Sequence, residues 1–168
     1  MLFRSSYGNR STPEICDIRE IIVAASEAAA AAMDNQRVQI LVDVPGQIKL
    51  LLARSRMKLM FFNLITNALE AMPSGGEVRI GATRNRDYVL VAIEDTGPGI
   101  PHEIRDKVFE PFVTAGKENG LGLGLAFSRQ AVLDHGGDMW IEPAAGARFV
   151  VRLPLGHKPD HGPKQNVA

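Results

Sequence analysis

Apolar-rich stretches separated by short polar and glycine-rich breaks divide this chain into elements. Residues 1–13 are polar, rich in Ser, Arg and Asn, and read as a tail or as the remnant of something upstream. Asp17 and Glu20 form a capping pair for a helix over 18–33, which Asp34, Asn35 and Gln36 break. VQILVDV (38–44) is rich in β-branched residues and predicts a strand. Pro45 and Gly46 turn the chain into a second strand, IKLLLA (48–53). Ser55 is the expected cap of a long helix ending near Met72, where PSGG (73–76) stops it. Strands follow at 77–83 and 88–95, joined by the polar turn 84–87. A glycine-rich stretch then holds a short helix with His102. A longer helix runs over 122–135 to Gly136 and Gly137, a natural C-cap. Strands at 138–142 and 148–153 complete the pattern, and 156–168 read as a disordered tail. Strands and helices mix without strict alternation. The expected fold is an α/β two-layer sandwich, a mixed sheet with helices packed on one face.

Composition narrows the function classes. The 168 residues suit one domain with one core, and 45% apolar with 23% charged residues is ordinary for a globular protein. Basic and acidic residues balance at 19 each, so no bulk field favours nucleic acid or a membrane surface. A polyanion must be held by local geometry. The single cysteine, Cys16, excludes an internal disulfide. No apolar run reaches the roughly 18–20 residues of a membrane span.

Three stretches carry candidate chemistry. MKLMFFNLITNALEAM (57–72) is apolar nearly all round through Leu59, Met60, Phe62, Leu64, Ile65, Ala68 and Leu69, and is expected to be buried. Asn63, Asn67 and Glu70 nevertheless share one stripe of that helix. An unpaired buried amide costs about 1–3 kcal/mol, so these side chains need partners. Either they cap neighbouring loops, or they face a pocket and hold a hard cation such as Mg²⁺. In EDTGPGIP (94–101), Asp95 ends an apolar strand. It either nucleates the turn or accepts a hydrogen bond from the exocyclic amine of adenine, a donor that guanine lacks at that position. In ENGLGLGLAFSRQAV (118–132), Gly120, Gly122 and Gly124 run into a helix whose free N–H groups favour an anion. GxxxxGK[ST] fails there because Glu118 follows Gly116-Lys117, and GxGxxG fails because Phe127 stands three residues after Gly124. Taken alone, the alternating glycines fit a hinge as well as a phosphate loop.

Together and in this order, the Asn-bearing helix, Asp-Thr-Gly-x-Gly, FEPF and GLGLGL resemble the ATP-binding domain of sensor histidine kinases. This is the superfamily of gyrase, Hsp90, histidine kinases and MutL, with its Bergerat-type ATP-binding fold. The resemblance covers about residues 15–154, including the closing strand GARFVVRLP (146–154). It implies a domain over 14–155 that binds ATP and Mg²⁺, with Asn67 as principal metal ligand and Asn63 beside it. Asp95 corresponds to the adenine-reading aspartate, with Gly97, Gly99 and Ile100 shaping the pocket and Glu70 on the Asn stripe. VFEPFVT (108–114), with Phe112 and Thr114, matches the box at the base of the ATP lid. Gly120, Leu121, Gly122, Leu123 and Gly124 match the phosphate loop. The lid would be 115–119, in which Lys117 is either a phosphate contact or a solvated lysine. Two departures remove hydroxyls and no backbone N–H: Ala115 follows Thr114, and Leu121 stands where threonine is frequent.

The resemblance also defines what is missing. HEIR, from His102, looks like the start of a phosphoacceptor box, but Asp106-Lys107 follow it, and it lies between the adenine aspartate and the lid. It is a coincidence of letters. His135, His157 and His161 lack the box too, and a polar residue at His135 suits the helix end it occupies. The implied function is the catalytic domain of a two-component sensor histidine kinase, acting on a histidine of a dimerisation domain absent from this chain. Residues 2–10 would be the linker below that domain. A response regulator is the implied downstream partner, with neither nucleic acid nor direct membrane contact. The implied location is cytoplasmic, below a parent that inner-membrane segments can anchor. The alternatives are an ATPase of the same superfamily, a nucleotide-binding scaffold, or a serine-phosphorylating anti-sigma kinase. The ATPases carry a glutamate where this chain has Asn63, and an amide cannot take a proton from water near neutral pH.

Overall fold

A computed structural model describes residues 12–34, 37–114 and 124–156. The elements run β1 (Glu14–Asp17), α1 (Ile18–Met33), β2 (Val38–Asp43), β3 (Lys49–Leu52), α2 (Arg54–Ala71), β4 (Gly76–Arg84) and β5 (Tyr88–Asp95). They continue with α3 (His102–Arg105), α4 (Gly124–Asp134), β6 (Asp138–Ile141) and β7 (Arg148–Pro154).

The main sheet has five strands in the order β2-β4-β5-β7-β6. β2 and β4 are parallel, and the other neighbours are antiparallel. Side chains alternate across a strand, and β5 shows the consequence: Val89, Val91 and Ile93 are buried, while Tyr88, Leu90 and Ala92 are only half-buried. The buried set joins Val78 and Ile80 of β4 and Phe149, Val151 and Leu153 of β7 in one core. Ile21, Ile22 and Ala25 of α1, Met57, Met60, Phe61 and Leu64 of α2, and Val132 of α4 pack into the same core. All three long helices therefore cover one face of the mixed sheet, which is the expected two-layer sandwich.

Several local expectations change. β1 was not legible: EICD is four residues long, and its pairing with β3, Glu14 opposite Leu52, comes from far along the chain. Asp17 caps α1 by accepting the Arg19 N–H at 3.0 Å, and its other oxygen accepts the Gln47 N–H at 2.8 Å. Glu20 does not complete the capping pair; it lies 3.6 Å from the Arg54 guanidinium. Ser55 is not the cap of α2. Ala53 occupies that position, and its amide is satisfied by the distant His135 ring. Finally, Leu59 is 58% exposed, so α2 has a solvent side that its near-continuous apolar sequence conceals.

Candidate functional site

Asn63, Asn67 and Glu70 fall along one stripe of α2, with Asn63 and Asn67 half-buried and Glu70 exposed. What faces the stripe is decided by α4. The Ala53 N–H donates to His135 Nε2 at 3.0 Å, Arg56 donates to Asp134 at 2.7 Å, and Asn63 Nδ2 donates to Ser128 Oγ at 3.4 Å. Numbers rise on α2 as they fall on α4, so the helices are antiparallel. The start of α4 thereby comes to Asn63: a β-carbon placed at Gly124 would lie 4.0 Å from Asn63 Cγ. Burial pushes the Asp134 carboxyl up, but hydrogen bonds from Arg56 and Gln130 and the charge of Arg56 outweigh it and leave it below the ordinary value.

The far end of α2 meets the Asp95 turn. Asp95 is buried at the end of β5, and its Oδ1 accepts the Gly97 N–H at 2.9 Å and the Ala147 N–H at 3.2 Å. Among the described residues Oδ2 accepts no hydrogen bond, and it is not sealed from solvent. The chain can pass here only with glycine at two places. A β-carbon on Gly146 would stand 2.0 Å from the Asp95 carbonyl oxygen, and Gly99 has a φ of +79°, which side chains rarely adopt. A β-carbon on Gly97 would lie 3.1 Å from Met72 Cγ, so the turn abuts the end of α2. From Asn63 to Met72 the helix rises about 14 Å. The adenine candidate Asp95 and the phosphate candidate Gly124 thus flank two ends of the same half-helix.

Below these ends, the FEPF segment is fastened by its first phenylalanine. Phe109 meets Phe149 edge-on at 6.1 Å between centroids, and the Arg129 guanidinium lies 5.0 Å over its ring. Phe112 is different: it is 76% exposed and has a φ of 68°. Thr114 is half-buried, and Ile100 packs against the core. His102 opens the four-residue α3 and is exposed. Lys117, Gly120, Leu121, Gly122 and Leu123 lie outside the described residues. Among the described residues no three His, Cys, Asp or Glu side chains cluster as metal ligands.

Sequence reasoning missed four contributors. Gly146 and Ala147 meet Asp95 from the loop before β7, and a glycine before a β-branched run was the signal for the former. Ser128 faces Asn63, and the buried His135 ties α4 to the cap of α2. Neither has a local sequence signature, because each is defined by a partner on another helix.

This geometry has clear counterparts. The sequence profile of the family described as histidine kinase-, DNA gyrase B-, and HSP90-like ATPase matches residues 53–157. The alginate biosynthesis sensor protein KinB of Pseudomonas aeruginosa is 34% identical over 144 residues, 83% of this chain and 24% of that protein. Sporulation kinase A of Bacillus subtilis is 38% identical over 103 residues, 60% of this chain and 17% of that kinase. The chain therefore spans about a quarter of these relatives or less. Among solved structures, the mycobacterial sensor histidine kinase MprB superimposes with a TM-score of 0.76 at 29% identity, over 84% of this chain and 97% of that one. The catalytic domain of the histidine kinase ThkA, in a nucleotide-free form, gives a TM-score of 0.73 at 28% identity, with the same coverage. Among the described residues no helix is long and apolar enough to cross a membrane.

Proposed function

Because the chain belongs to the histidine kinase-, DNA gyrase B- and HSP90-like ATPases and has the catalytic-domain fold of sensor histidine kinases, we propose that it binds Mg²⁺·ATP along α2 and transfers the γ-phosphoryl group to a histidine on a dimerisation domain outside this chain. The observation that carries the reading is the antiparallel packing of α2 and α4, which brings the glycine-led start of α4 to Asn63 while Asp95 lies at the other end of the same half-helix.

Asp95 Oδ2 is the open acceptor for the adenine amine, and Gly97 and Gly99 let the backbone pass close to the ring. The N–H groups at the start of α4 face the phosphates, where the helix dipole favours anions. Asn67, with Asn63, supplies the amide oxygens that suit Mg²⁺, and the bound ion offsets phosphate charge. Lys117 joins the reading from the sequence alone. The bond from the γ-phosphorus to the bridging oxygen breaks as a bond to an imidazole nitrogen forms, and ADP leaves. A neutral imidazole needs no base to attack, so the domain contributes positioning and charge neutralisation. Asn63 is poorly suited to deprotonate water, which favours transfer over hydrolysis. The phosphorylated domain would pass the group on to a response regulator.

The test supplies radiolabelled ATP, Mg²⁺ and a separate dimerisation domain from the parent protein. We expect acid-labile label on that domain. We also expect Asn67→Ala to weaken Mg²⁺·ATP binding about ten-fold or more while leaving metal-free ATP binding nearly unchanged. Steady ATP hydrolysis with an unlabelled acceptor would favour an ATPase, and equal losses with and without metal would remove Asn67 from the metal site.

A further inference from the structure

We propose that His135 is a positioning residue for the nucleotide site: as a neutral ring with its proton on Nδ1 it locks the end of α4 to the start of α2, and protonation releases the lock and weakens nucleotide binding. The inference rests on the reading that the start of α4 receives the phosphates.

The protonation state follows from the partners. His135 is 6% exposed. The Ala53 backbone N–H can only donate, so Nε2, at 3.0 Å, must accept. The Ala131 carbonyl can only accept, so Nδ1, at 2.6 Å, must donate. These two bonds use one acceptor and one donor, which only the neutral ring provides. A second proton would set two donors against each other at the cap of α2 and leave the Ala53 amide buried without its acceptor, a costly arrangement.

The ionisable groups on the surrounding elements are engaged by other partners, and Asp134 in addition couples electrostatically to the ring. Asp134, next in the chain and favourable to a positive ring, is held by Arg56 at 2.7 Å and Gln130 at 2.8 Å. Arg54, at the start of α2, is drawn to Glu14 of β1 at 2.9 Å and Glu20 of α1 at 3.6 Å. Asp138 of β6 faces Arg129 at 3.6 Å, and the buried thiol of Cys16 on β1 lies 3.8 Å from the Leu52 carbonyl.

The lever is α4 itself. Its seam with α2 has polar ties at His135, at Asp134 and at Ser128, and the helix then ends at Gly124 beside Asn63. A helix this short is stiff, so a shift at its last turn moves its first turn about 16 Å away. Loss of the His135 tie would loosen the alignment of the phosphate end against Asn63.

The test compares wild type with His135→Gln, whose amide oxygen can accept the Ala53 N–H but cannot take up a proton. Calorimetry would measure Mg²⁺·ATP affinity from about pH 7.5 to about pH 5.5, the range in which imidazole protonates. The titration of ATP itself cancels in the ratio. Whatever the two affinities at the upper pH, we expect the wild type to lose about ten-fold more than the variant on going to the lower pH. Ring ¹⁵N shifts should show the Nδ1–H tautomer in wild type, and protection of the Ala53 amide from exchange should fall together with the ring's titration. Equal pH slopes, or a ring with its proton on Nε2 at the upper pH, would overturn the proposal. Should His135→Gln not fold, the wild-type tautomer and Ala53 protection decide alone. A wild type that binds no ATP at any pH would overturn the functional reading as well, whereas equal slopes would overturn only this one.

Discussion

At Asp95 the two carboxylate oxygens have different surroundings. Oδ1 is engaged by the Gly97 and Ala147 amides, and among the described residues Oδ2 accepts no hydrogen bond. Asp95→Asn can keep the Oδ1 contacts, and with them the turn, while presenting an N–H₂ where an acceptor is needed. A hydrogen bond to a charged acceptor contributes about 1.5–3 kcal/mol, so calorimetry should show ATP affinity about ten- to a hundred-fold weaker with little change in melting temperature. Unchanged affinity would remove Asp95 from the adenine contact. The two sequence readings of this residue, turn nucleation and base recognition, are thus compatible, each using one oxygen.

Among the elements, α2 organises the site, and the sheet supplies the rigid floor that holds the Asp95 turn. On the face away from the helices, Arg148 of β7 donates to Glu94 of β5 at 2.6 Å and to Glu142, just past β6, at 3.0 Å. One guanidinium ties three neighbouring segments. Hydrogen bonds from Arg148, and then Trp140, hold the Glu142 carboxyl below the usual range. The sign follows from that lowering: Glu142 adds stability above the unfolded carboxylate range and loses it as pH falls through its lowered value. These groups are well solvated, so the effect is small. Arg148→Met should lower the melting temperature by about 2 °C near pH 7, and the gap to wild type should close near pH 3. A gap that persists in acid would mean that Arg148 acts through packing of its stem and not through charge.

Across the molecule, the two histidines among the described residues, His102 and His135, stand away from the proposed phosphoryl end. His102 opens α3, a few residues past the Asp95 turn, whereas the phosphate end is assigned to Gly124 beside Asn63. An acceptor nitrogen must come within about 3–3.5 Å of the reacting phosphorus. The isolated chain should therefore bind ATP yet form no stoichiometric acid-labile phosphohistidine, and His102→Ala should phosphorylate a supplied dimerisation domain as wild type does. Near-stoichiometric labelling of the isolated chain that disappears in His102→Ala would make HEIR the acceptor.

The order and kind of nearly all elements were legible in the sequence, because caps, glycine stops and β-branched runs act within a few residues. α1 runs over the expected 18–33, and β5 over the expected 88–95. The glycine, asparagine and aspartate motifs were legible for the same reason: each is a contiguous string with its own chemistry. Tertiary structure alone decided what those strings face. It made β1 a strand by giving EICD a partner on β3, exposed Leu59, replaced Ser55 by Ala53 as the cap of α2, and set Gly146 against Asp95. It also ran α4 antiparallel to α2, so that a ring 82 positions along the chain accepts the Ala53 amide. Hydrogen-bond partners and excluded volume at such separations depend on how layers stack, and local sequence carries no record of that.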